Sequence, residues 1–524
     1  MRPSSWILPA LFLAGLALRD GGDGAAGFAT ISEEDLAVHV REIASAEIEG
    51  RASPSEGLSR AAAYIEKCFR DAGLTGAGPD GSFRLTYSQD LVAPNPSLCS
   101  LAVRRAGAAP VRLELEKDFV PLPGCSGEAE GPLAFAGFGI TGSKERYDDL
   151  KGAKIKDRVV LILEGEPRHK RLFEGPEVTE SSDAYVKAAA LQKEGALGVV
   201  VVRRSPAQKT LGADGEPLAP SEIGYRYLWA EWNPALTKPM PSVPRELSIP
   251  VLEVTEEVAS TLLGENVAEL AQKIDHGGKP IRRDLEQVVL ALSSGFQRRP
   301  VTLENVAGIV PGTDPSLAGE YVVLGAHYDH IGVDPWGRIG CGADDNGSGT
   351  SALIELAQAF GRSPARRGLL LAAFSAEEEG LIGSAFFVDS PPVPTASMVA
   401  MLNMDMIGRG DPDEVVVIGT KQNPALEEVL KRAKKLHPTE LARVITGKAE
   451  EFWERSDQFS FHKQGVPVLF FFESVSEAEN PDYHTFRDTV ELLELEKMER
   501  ITRLVFNTAW LIAQDDERPP PPRR

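Results

Sequence analysis

Short, strongly apolar runs recur along the second half of the chain, from about residue 286 onward. Amphipathic stretches separate them, as at 349–360, 424–435 and 493–514. Apolar runs without polar alternation are typical of strands that are buried on both faces. The pattern therefore predicts an α/β fold with a mixed, largely parallel central sheet that is flanked by helices. The runs are Val288–Leu292, Val306–Val310, Tyr321–Ala326, Leu369–Phe374, Ala400–Met406, Val415–Ile418 and Val468–Phe472.

The first half of the chain has a different pattern. Residues 32–72 have helical spacing of apolar positions, whereas three short apolar runs follow at Leu133–Phe138, Val159–Leu163 and Leu197–Val202. This alternation predicts a smaller β-rich domain, inserted over residues 120–285. The main domain would then consist of residues 30–119 and 286–514. Within the insert, residues 204–248 are rich in Pro, Gly and Trp, which favours a long surface excursion.

Both ends of the chain have biased composition. The apolar run Trp6–Leu18 is shorter than the roughly 20 residues that span a bilayer. Arg2 precedes it and small residues follow it, which predicts a secretory signal peptide over residues 1–29. The alternative is a buried N-terminal helix. The expected protein is therefore secreted or periplasmic, with no stable membrane span after signal removal. Residues 515–524 contain four prolines and are predicted to be disordered.

Charge and cysteine content exclude several classes of function. The chain carries 77 acidic and 56 basic side chains, a net charge of −21. This surface would repel a phosphate backbone, so nucleic acid is not an expected partner. The four cysteines, Cys68, Cys99, Cys125 and Cys341, show no C-x-x-C spacing, which argues against a thiolate zinc site. Cys99 and Cys125 could pair in an oxidising compartment, and the sequence leaves this open.

Acidic and imidazole side chains follow several of the apolar runs. In open α/β sheets, ligands bind beyond the carboxyl ends of the strands, so we expect these clusters to converge there. The clusters are His327-Tyr328-Asp329-His330, Gly342–Gly349, Ser375–Gly380, Asn403–Asp405 and Asn480–Thr485.

Two imidazoles and three carboxylates from these clusters form a donor set that suits zinc. One carboxylate can bridge two ions about 3.5–4 Å apart, so the set can hold two metals. Asp329 lies two residues after His327, where it could accept a hydrogen bond from the imidazole. Glu377 and Glu378 are adjacent and point in different directions, so one could hold a metal while the other accepts and donates protons.

Each cluster alone has an ordinary structural interpretation. Consecutive glutamates often begin a solvated helix, and Asp-Asp-Asn-Gly often forms a turn. His330 and His462 lie close to the motifs but are predicted to be structural. The remaining histidines have no acidic neighbours of this kind and are also predicted to be structural; they are His39, His169, His276 and His437. Residues 346–350 do not match the serine hydrolase motif Gly-x-Ser-x-Gly, and no Walker phosphate loop is present.

The ordered set of motifs closely resembles the co-catalytic di-zinc aminopeptidase family. That family includes secreted bacterial leucyl aminopeptidases and, more distantly, glutamate carboxypeptidase and the transferrin receptor. The resemblance implies a zinc exopeptidase fold and two zinc ions per chain. It implies that His327 and Asp405 hold one zinc, that Glu378 and His484 hold the other, and that Asp345 bridges them. It also implies that Glu377 is the general base, that Tyr483 stabilises the oxyanion, and that the Asp345–Asn346 peptide bond is cis.

The middle of the chain resembles the protease-associated (PA) domain that many of these enzymes carry. The pattern consists of Tyr147–Gly152, the apolar run Val159–Leu163 and the segment Gly195–Val200. We expect this insert to shape access to the site without contributing catalytic residues.

By resemblance, the chain is expected to be a secreted metallo-aminopeptidase that removes N-terminal residues from peptides by metal-activated water attack. The lack of an obvious pair of arginines for a substrate carboxylate favours action at the amino end. One alternative is a carboxypeptidase or dipeptidase with the same metals, in which Arg409 or an arginine of the insert would bind the carboxylate. The other alternative is a non-catalytic, receptor-like protein on the same fold.

Overall fold

The computed structural model describes residues 24–115, 117–142, 147–169, 172–173, 179–204, 247–317, 319–333, 338–473, 480 and 482–523. Most of the predicted signal peptide, residues 1–23, lies outside the described residues. So does most of the predicted surface excursion, residues 205–246.

The described residues form strands and helices in alternating groups. The strands are β1 (Thr75–Gly76), β2 (Arg84–Pro94), β3 (Ser100–Arg105), β4 (Val111–Leu113), β5 (Phe119–Pro121), β6 (Gly127–Ala136), β7 (Val159–Leu163), β8 (Gly198–Val202), β9 (Val251–Val254), β10 (Arg282–Ser294), β11 (Phe296–Val310), β12 (Tyr321–His327), β13 (Gly332–Val333), β14 (Ile339–Gly340), β15 (Gly368–Phe374), β16 (Met398–Met404), β17 (Glu414–Ile418), β18 (Arg443–Thr446) and β19 (Val468–Phe472). The helices are α1 (Ala25–Phe28), α2 (Glu33–Ile43), α3 (Glu56–Asp71), α4 (Ala184–Lys193), α5 (Glu256–Leu263), α6 (Val267–Gly277), α7 (Gly349–Arg362), α8 (Ile382–Asp389), α9 (Pro424–Leu436), α10 (Gln458–Lys463) and α11 (Leu495–Gln514).

The central sheet is mixed, in the order β1-β11-β15-β12-β16-β19-β17-β18, with β2 also paired to β11. Its centre is parallel, because β15, β12, β16 and β19 run in the same direction. On both sides of this centre the pairing turns antiparallel, between β11 and β15 and between β17 and β19. The predicted parallel arrangement thus describes only the middle of the sheet. Apolar composition reports burial on two faces and not the direction of the neighbouring strand.

Helix α7 packs against the central sheet and lies beneath α2, α3 and α11. It is buried on almost every side, and it begins directly after the turn Ala343–Ser348. At its far end, the ring of Phe360 stacks on Phe506 of α11 with 4.6 Å between the centroids. This packing holds the start of α7, and hence the turn before it, against the ends of the central strands.

A second sheet has the order β4-β3-β10-β6-β7-β8-β9-β5. Its middle strands β6, β7, β8 and β9 are parallel and have their own apolar core. The strands of this sheet begin at Ser100 and end at Ser294, so they extend beyond the predicted insert of residues 120–285 on both sides. A single residue, Gly295, separates β10 of this sheet from β11 of the central sheet. Because the chain stays extended where it passes from one sheet to the other, the apolar pattern does not mark the boundary between the two sheets.

Residues of the tail make contacts with the rest of the chain, although their composition predicts disorder. Arg518 forms an ion pair with Glu320 at 2.8 Å, and the main-chain N–H of Arg523 donates to the carbonyl of Gln422 at 2.8 Å. Proline has a restricted backbone, so a proline-rich segment loses little entropy when a few such contacts hold it in place. Each of the four cysteines is a free thiol, Cys99 and Cys125 included. In the described part of the chain, no helix combines the length and apolarity that a bilayer crossing requires.

Candidate metal centre

The predicted site residues converge at the carboxyl ends of the central strands. His327 is the last residue of β12, the segment Glu377–Glu379 follows β15, and Asp405 follows β16. Asp345 lies in the turn before α7, where its peptide bond to Asn346 is cis, as the resemblance implied. His484 comes from the loop after β19. Adjacent parallel strands end at the same edge of the sheet, which is why separate segments meet here.

One half of the cluster is formed around His327. Its Nε2 lies 3.1 Å from Oδ1 of Asp405 and 3.4 Å from Oδ1 of Asp345. All three side chains are buried.

The other half is formed around Glu378. His484 Nε2 lies 2.9 Å from Oε2 of Glu378 and 3.0 Å from Oδ2 of Asp345. His330 Nδ1 lies 2.8 Å from Oε1 of the same glutamate. The prediction that His330 is merely structural is therefore at odds with its position, because the side chain joins the cluster. Its place three residues beyond a buried strand end was the signal available in the sequence.

The donor atoms fit a pair of divalent metal ions. Those of His327, Asp345 and Asp405 lie within 4.8 Å of one another, and so do those of His330, Asp345 and Glu378. The two carboxylate oxygens of Asp345 face different imidazoles, which is the arrangement a bridging carboxylate needs. Buried nitrogen and oxygen donors in this number suit zinc.

The histidines and carboxylates of the cluster shift one another's pKa values. Burial lowers the pKa of His484, but Glu378 and Asp345 outweigh it and raise the pKa to about 10. Burial raises the pKa of Glu378 and Asp345 adds to this, yet His484 and His330 bring the value down to about 2. Burial also raises the pKa of Asp345, but the surrounding imidazoles hold it well below its usual range. The carboxylates of Glu378 and Asp345 thus stay ionised, and a metal ion that binds His484 has to displace its ring proton.

Glu377 differs from Glu378 in its surroundings. Its main-chain N–H donates to Oδ1 of Asp329 at 3.2 Å, which fixes the start of the loop. Burial, together with Asp405 and Glu378, raises the pKa of its carboxyl well above the usual range, although His327 opposes this. A carboxyl group with a raised pKa is suited to exchanging protons near neutral pH.

Asp329 has a different set of contacts from the predicted one. Its Oδ1 lies 3.7 Å from Nδ1 of His327, which is beyond hydrogen-bond distance. Asp329 instead contacts the side chain of Glu379, and burial and this neighbour raise the pKa of Glu379 well above its usual range. Asp329 therefore ties the Glu377–Glu379 loop to the end of β12.

The loop after β19 supplies an aromatic contact and an ion-pair network. The ring of Tyr483 stacks on that of His484, with centroids 3.9 Å apart. Burial and the nearby carboxylates raise the pKa of its phenol well above the usual value, so the hydroxyl keeps its proton. Asp482 binds Arg409 at 3.1 Å and Arg487 at 2.8 Å. Arg409 is thus paired with an acid and not presented to a substrate carboxylate.

Three buried residues near the site were not identified from the sequence. Oδ2 of Asp488 accepts the main-chain N–H groups of Asp344 at 3.1 Å and of Asp345 at 3.0 Å. Burial raises the pKa of Asp457 to about 7, and neither of its oxygens has a hydrogen-bond partner among the described residues. Arg51 is fully buried and holds the metal-site loops through their main chain. Nothing in the local pattern around these residues marks them as part of a site.

A pocket opens beside Asp405, with about 450 Å³ of space when the solvent at its open mouth is included. Its wall is mainly apolar, with Met406, Phe470 and Tyr483 next to the cluster. Its other lining residues are Phe452, Arg455, Phe472, Glu473 and Asn480. The pocket can therefore receive an apolar side chain next to the candidate metal centre.

Comparison with known proteins finds similarity to peptidases. Residues 305–509 match the family described as Peptidase family M28. A probable leucine aminopeptidase of Trichophyton verrucosum is 32% identical over 216 residues, which is 40% of this chain and 57% of the relative. The chain thus spans little more than half the length of this curated relative.

Solved structures resemble the chain over nearly its whole length. A zinc aminopeptidase from Bacillus subtilis has a TM-score of 0.60 and 19% identity, covering 93% of this chain and 96% of that one. An aminopeptidase from Aneurinibacillus sp. strain AM-1 has a TM-score of 0.56 and 18% identity, covering 95% and 97%. At this identity the likeness establishes the fold. Residues 305–509, which match the model of peptidase family M28, contain every member of the metal cluster.

Proposed function

We propose that this protein is a secreted zinc aminopeptidase that removes N-terminal residues from peptides. The observation that carries the proposal is the carboxylate of Asp345, whose two oxygens face His327 at 3.4 Å and His484 at 3.0 Å. A buried carboxylate between two imidazoles and two further acids is the arrangement expected of a bridged metal pair. Its location in a segment of peptidase family M28 supports hydrolysis of peptide bonds.

In this proposal, His327 and Asp405 hold one zinc ion, Glu378 and His484 hold the other, and Asp345 bridges them. When bound, zinc supplies Lewis acidity and lowers the pKa of a coordinated water molecule. Glu377 accepts the proton of the attacking water and delivers it to the leaving amine. Tyr483 keeps its phenolic proton and donates a hydrogen bond to the oxygen of the scissile carbonyl as negative charge develops there.

The pocket beside Asp405 supports a preference for apolar N-terminal residues. Phe452 and Phe472 lie in its wall with ring centroids 5.2 Å apart, and Met406 adds a flexible apolar side chain. Burial of an apolar substrate side chain against this wall contributes about 1.5–3 kcal/mol. We therefore expect leucyl and similar substrates to be cleaved faster than glycyl substrates.

A second candidate is a carboxypeptidase of the same family. The observation that favours it is Arg455, an exposed cation in the pocket wall whose guanidinium lies 5.3 Å above the ring of Phe452. The Arg455→Gln variant separates the two candidates. An aminopeptidase would keep its kcat/KM for aminoacyl reporters, whereas a carboxypeptidase would lose affinity for substrates with a free carboxylate.

The decisive experiment is a panel of reporter peptides that have a free amino end, a blocked amino end or a free carboxyl end. The proposal expects hydrolysis of the first group only, loss of activity with a chelator, and recovery on addition of zinc. Metal analysis should find two zinc ions per chain. If no peptide of the panel is cleaved by zinc-loaded protein, the receptor-like alternative is favoured and the proposed activity is wrong.

Variants of the two adjacent glutamates test the division of roles. Glu377→Gln should lower kcat by about 10²–10⁴-fold and keep both metals, because only a proton acceptor is lost. Glu378→Gln should instead lose one metal selectively. The exposed Glu454 provides the matched control, since Glu454→Gln removes a carboxylate near the pocket without touching the cluster. A Glu377→Gln variant that is depleted of metal, or fully active, would contradict the assignment.

A further inference from the structure

His330 lies within the cluster, although it is not one of the five expected metal ligands. The residue is fully buried, and its main-chain N–H donates to the carbonyl of Arg51 at 3.1 Å. Its Nδ1 lies 2.8 Å from Oε1 of Glu378 and 3.7 Å from Oδ2 of Asp345. The ring therefore faces the same two carboxylates as His484.

The two imidazoles approach these carboxylates from different sides. The rings of His330 and His484 are nearly perpendicular, at 72°, with centroids 5.7 Å apart. His330 lies against Oε1 of Glu378, whereas His484 lies 2.9 Å from Oε2. The two imidazoles thus face different oxygens of Glu378 and do not compete for one of them.

The spacings match those of atoms that share a metal. Two donor atoms that are each about 2.0–2.2 Å from one zinc ion, at angles of 90–120°, lie roughly 2.8–3.8 Å apart. The distances from His330 to Glu378 and to Asp345, 2.8 and 3.7 Å, fall in this interval. The distances from His484 to the same two residues, 2.9 and 3.0 Å, do so as well.

The backbone around His330 leaves room for its ring in this position. Gly342 has a φ of +55°, and a Cβ there would lie 2.4 Å from Cγ of His330. Any other residue at 342 would displace the ring from the cluster, so the glycine serves both the backbone turn and the imidazole.

We propose that His330 is a sixth protein ligand, which binds the ion next to Glu378 through Nδ1. This inference rests on the proposed function, since it assumes that the cluster binds two ions. The ion beside Glu378 then has two imidazoles and two carboxylates, whereas the ion beside Asp405 has one imidazole and two carboxylates. Imidazole suits zinc and cobalt better than the harder manganese or magnesium, so the two positions differ in metal affinity and selectivity.

The competing explanation for the 2.8 Å contact is a hydrogen bond from Nδ1–H to Glu378. The variants His330→Asn and His330→Ala separate the two explanations. An asparagine amide places a hydrogen-bond donor close to the Nδ1 position but is a poor zinc ligand, whereas alanine removes both functions. For a ligand, both variants should weaken the binding of one zinc ion by at least about 10-fold, as measured by titration of metal-free protein with zinc against a chelator.

His462→Asn is the matched control. This histidine lies outside the cluster, with its ring 4.9 Å from that of Trp453, and its loss should leave both zinc affinities unchanged. If His330→Asn binds two zinc ions as tightly as the wild type while His330→Ala does not, His330 is only a hydrogen-bond donor and the inference is wrong. If the wild type itself binds fewer than two ions, the proposed function fails instead.

A measurement on the unmodified protein covers the case in which the variants do not fold. Cobalt(II) replaces zinc at both positions, and proton NMR then shows the ring N–H of each coordinated histidine as a strongly shifted signal. We expect three such signals, from His327, His330 and His484. Two signals would contradict the assignment of His330 as a ligand and would leave the two-metal assignment in place.

Discussion

The Nε of Arg51 donates to the carbonyl oxygen of Tyr328 at 2.7 Å, across 277 residues of chain. The other four N–H groups of this guanidinium also donate to main-chain carbonyls. Their acceptors are Ile43 at 2.8 Å, Cys341 at 2.7 Å, Gly342 at 2.8 Å and Asp345 at 3.4 Å. One buried cation from the N-terminal region thus holds together the segment that follows β12, next to His327, and the turn that carries Asp345.

The first prediction follows from these five hydrogen bonds of Arg51. Arg51→Lys keeps the charge but removes the five-donor fork, so it should leave buried carbonyls unpaired and lower the free energy of unfolding by about 3 kcal/mol. Zinc affinity should fall as well, because the two loops lose their common anchor. Urea unfolding and a zinc titration measure these effects. The matched control is the exposed Arg60→Lys, and equal effects of the two variants would contradict the role of Arg51.

The second prediction concerns Glu379, whose side chain contacts Asp329. In the sequence, the three consecutive glutamates looked alike. Burial and the neighbouring Asp329 raise the pKa of Glu379, which favours its protonated form; Glu379→Gln keeps a donor at this position and should reduce kcat by less than about 10-fold. Glu379→Ala leaves Asp329 without that donor and should reduce kcat further. Steady-state kinetics on both variants provide the test, and identical rates would disprove the contact.

The third prediction is a pH-dependent loss of stability at His39. This buried residue of α2 lies 3.4 Å from Glu355 and 2.8 Å from the hydroxyl of Tyr64. Burial lowers its pKa, but Cys68 and Glu355 outweigh burial and raise the pKa to about 9. A raised pKa means that the protonated form stabilises the fold fully below about pH 6.5, and that this contribution is lost as the pH rises through 9.

The measurement compares the wild type with His39→Gln, which cannot be protonated. Between pH 6.5 and 9.5, the free energy of unfolding of the wild type should fall by up to about 3 kcal/mol more than that of the variant. Gln358, which lies 3.0 Å from Nε2 of His39, is uncharged and stays the same in both proteins. Parallel pH profiles would show that the imidazole is neutral in the folded protein.

The fourth prediction concerns the start of the mature protein. The expected signal peptide ends at residue 29, yet the N–H of Gly27 donates to Oγ of Ser363 at 2.9 Å, and Phe28 lies 4.8 Å from the ring of His437. These contacts favour signal removal before Gly24. Under the proposed secretion, mass analysis of the exported chain should give a first residue at or before 24. A chain that starts at Thr30 should be less stable by about 1–2 kcal/mol than one that starts at Gly24.

The sequence allowed prediction of the parts of the fold that depend on burial. The run 468–472 coincides with β19, and the clusters that follow apolar runs meet because parallel strands end at one edge. Other features depend on contacts that leave no local pattern. The partners of Arg51 are main-chain carbonyls, which any residue type provides. The run Val415–Ile418 of β17 is as apolar as the parallel strands, although β17 pairs antiparallel with β19. The contact of His330 with Glu378 was not predicted, because a histidine beside acids is usually structural.

The junction between the two sheets has an architectural consequence. Strands β2 and β11 pair side by side up to Pro94 and Phe296, and the N–H of Asn95 donates to the carbonyl of Gly295 at 2.8 Å just beyond them. The whole second sheet therefore occupies the place of the loop of a β-hairpin. Joining Pro94 to Phe296 through a tight turn would recreate an ordinary hairpin, and the register of β11 beside β15 would not change. The central sheet can thus gain or lose an entire domain at this point without any rearrangement of the strands that carry the loops of the candidate metal centre.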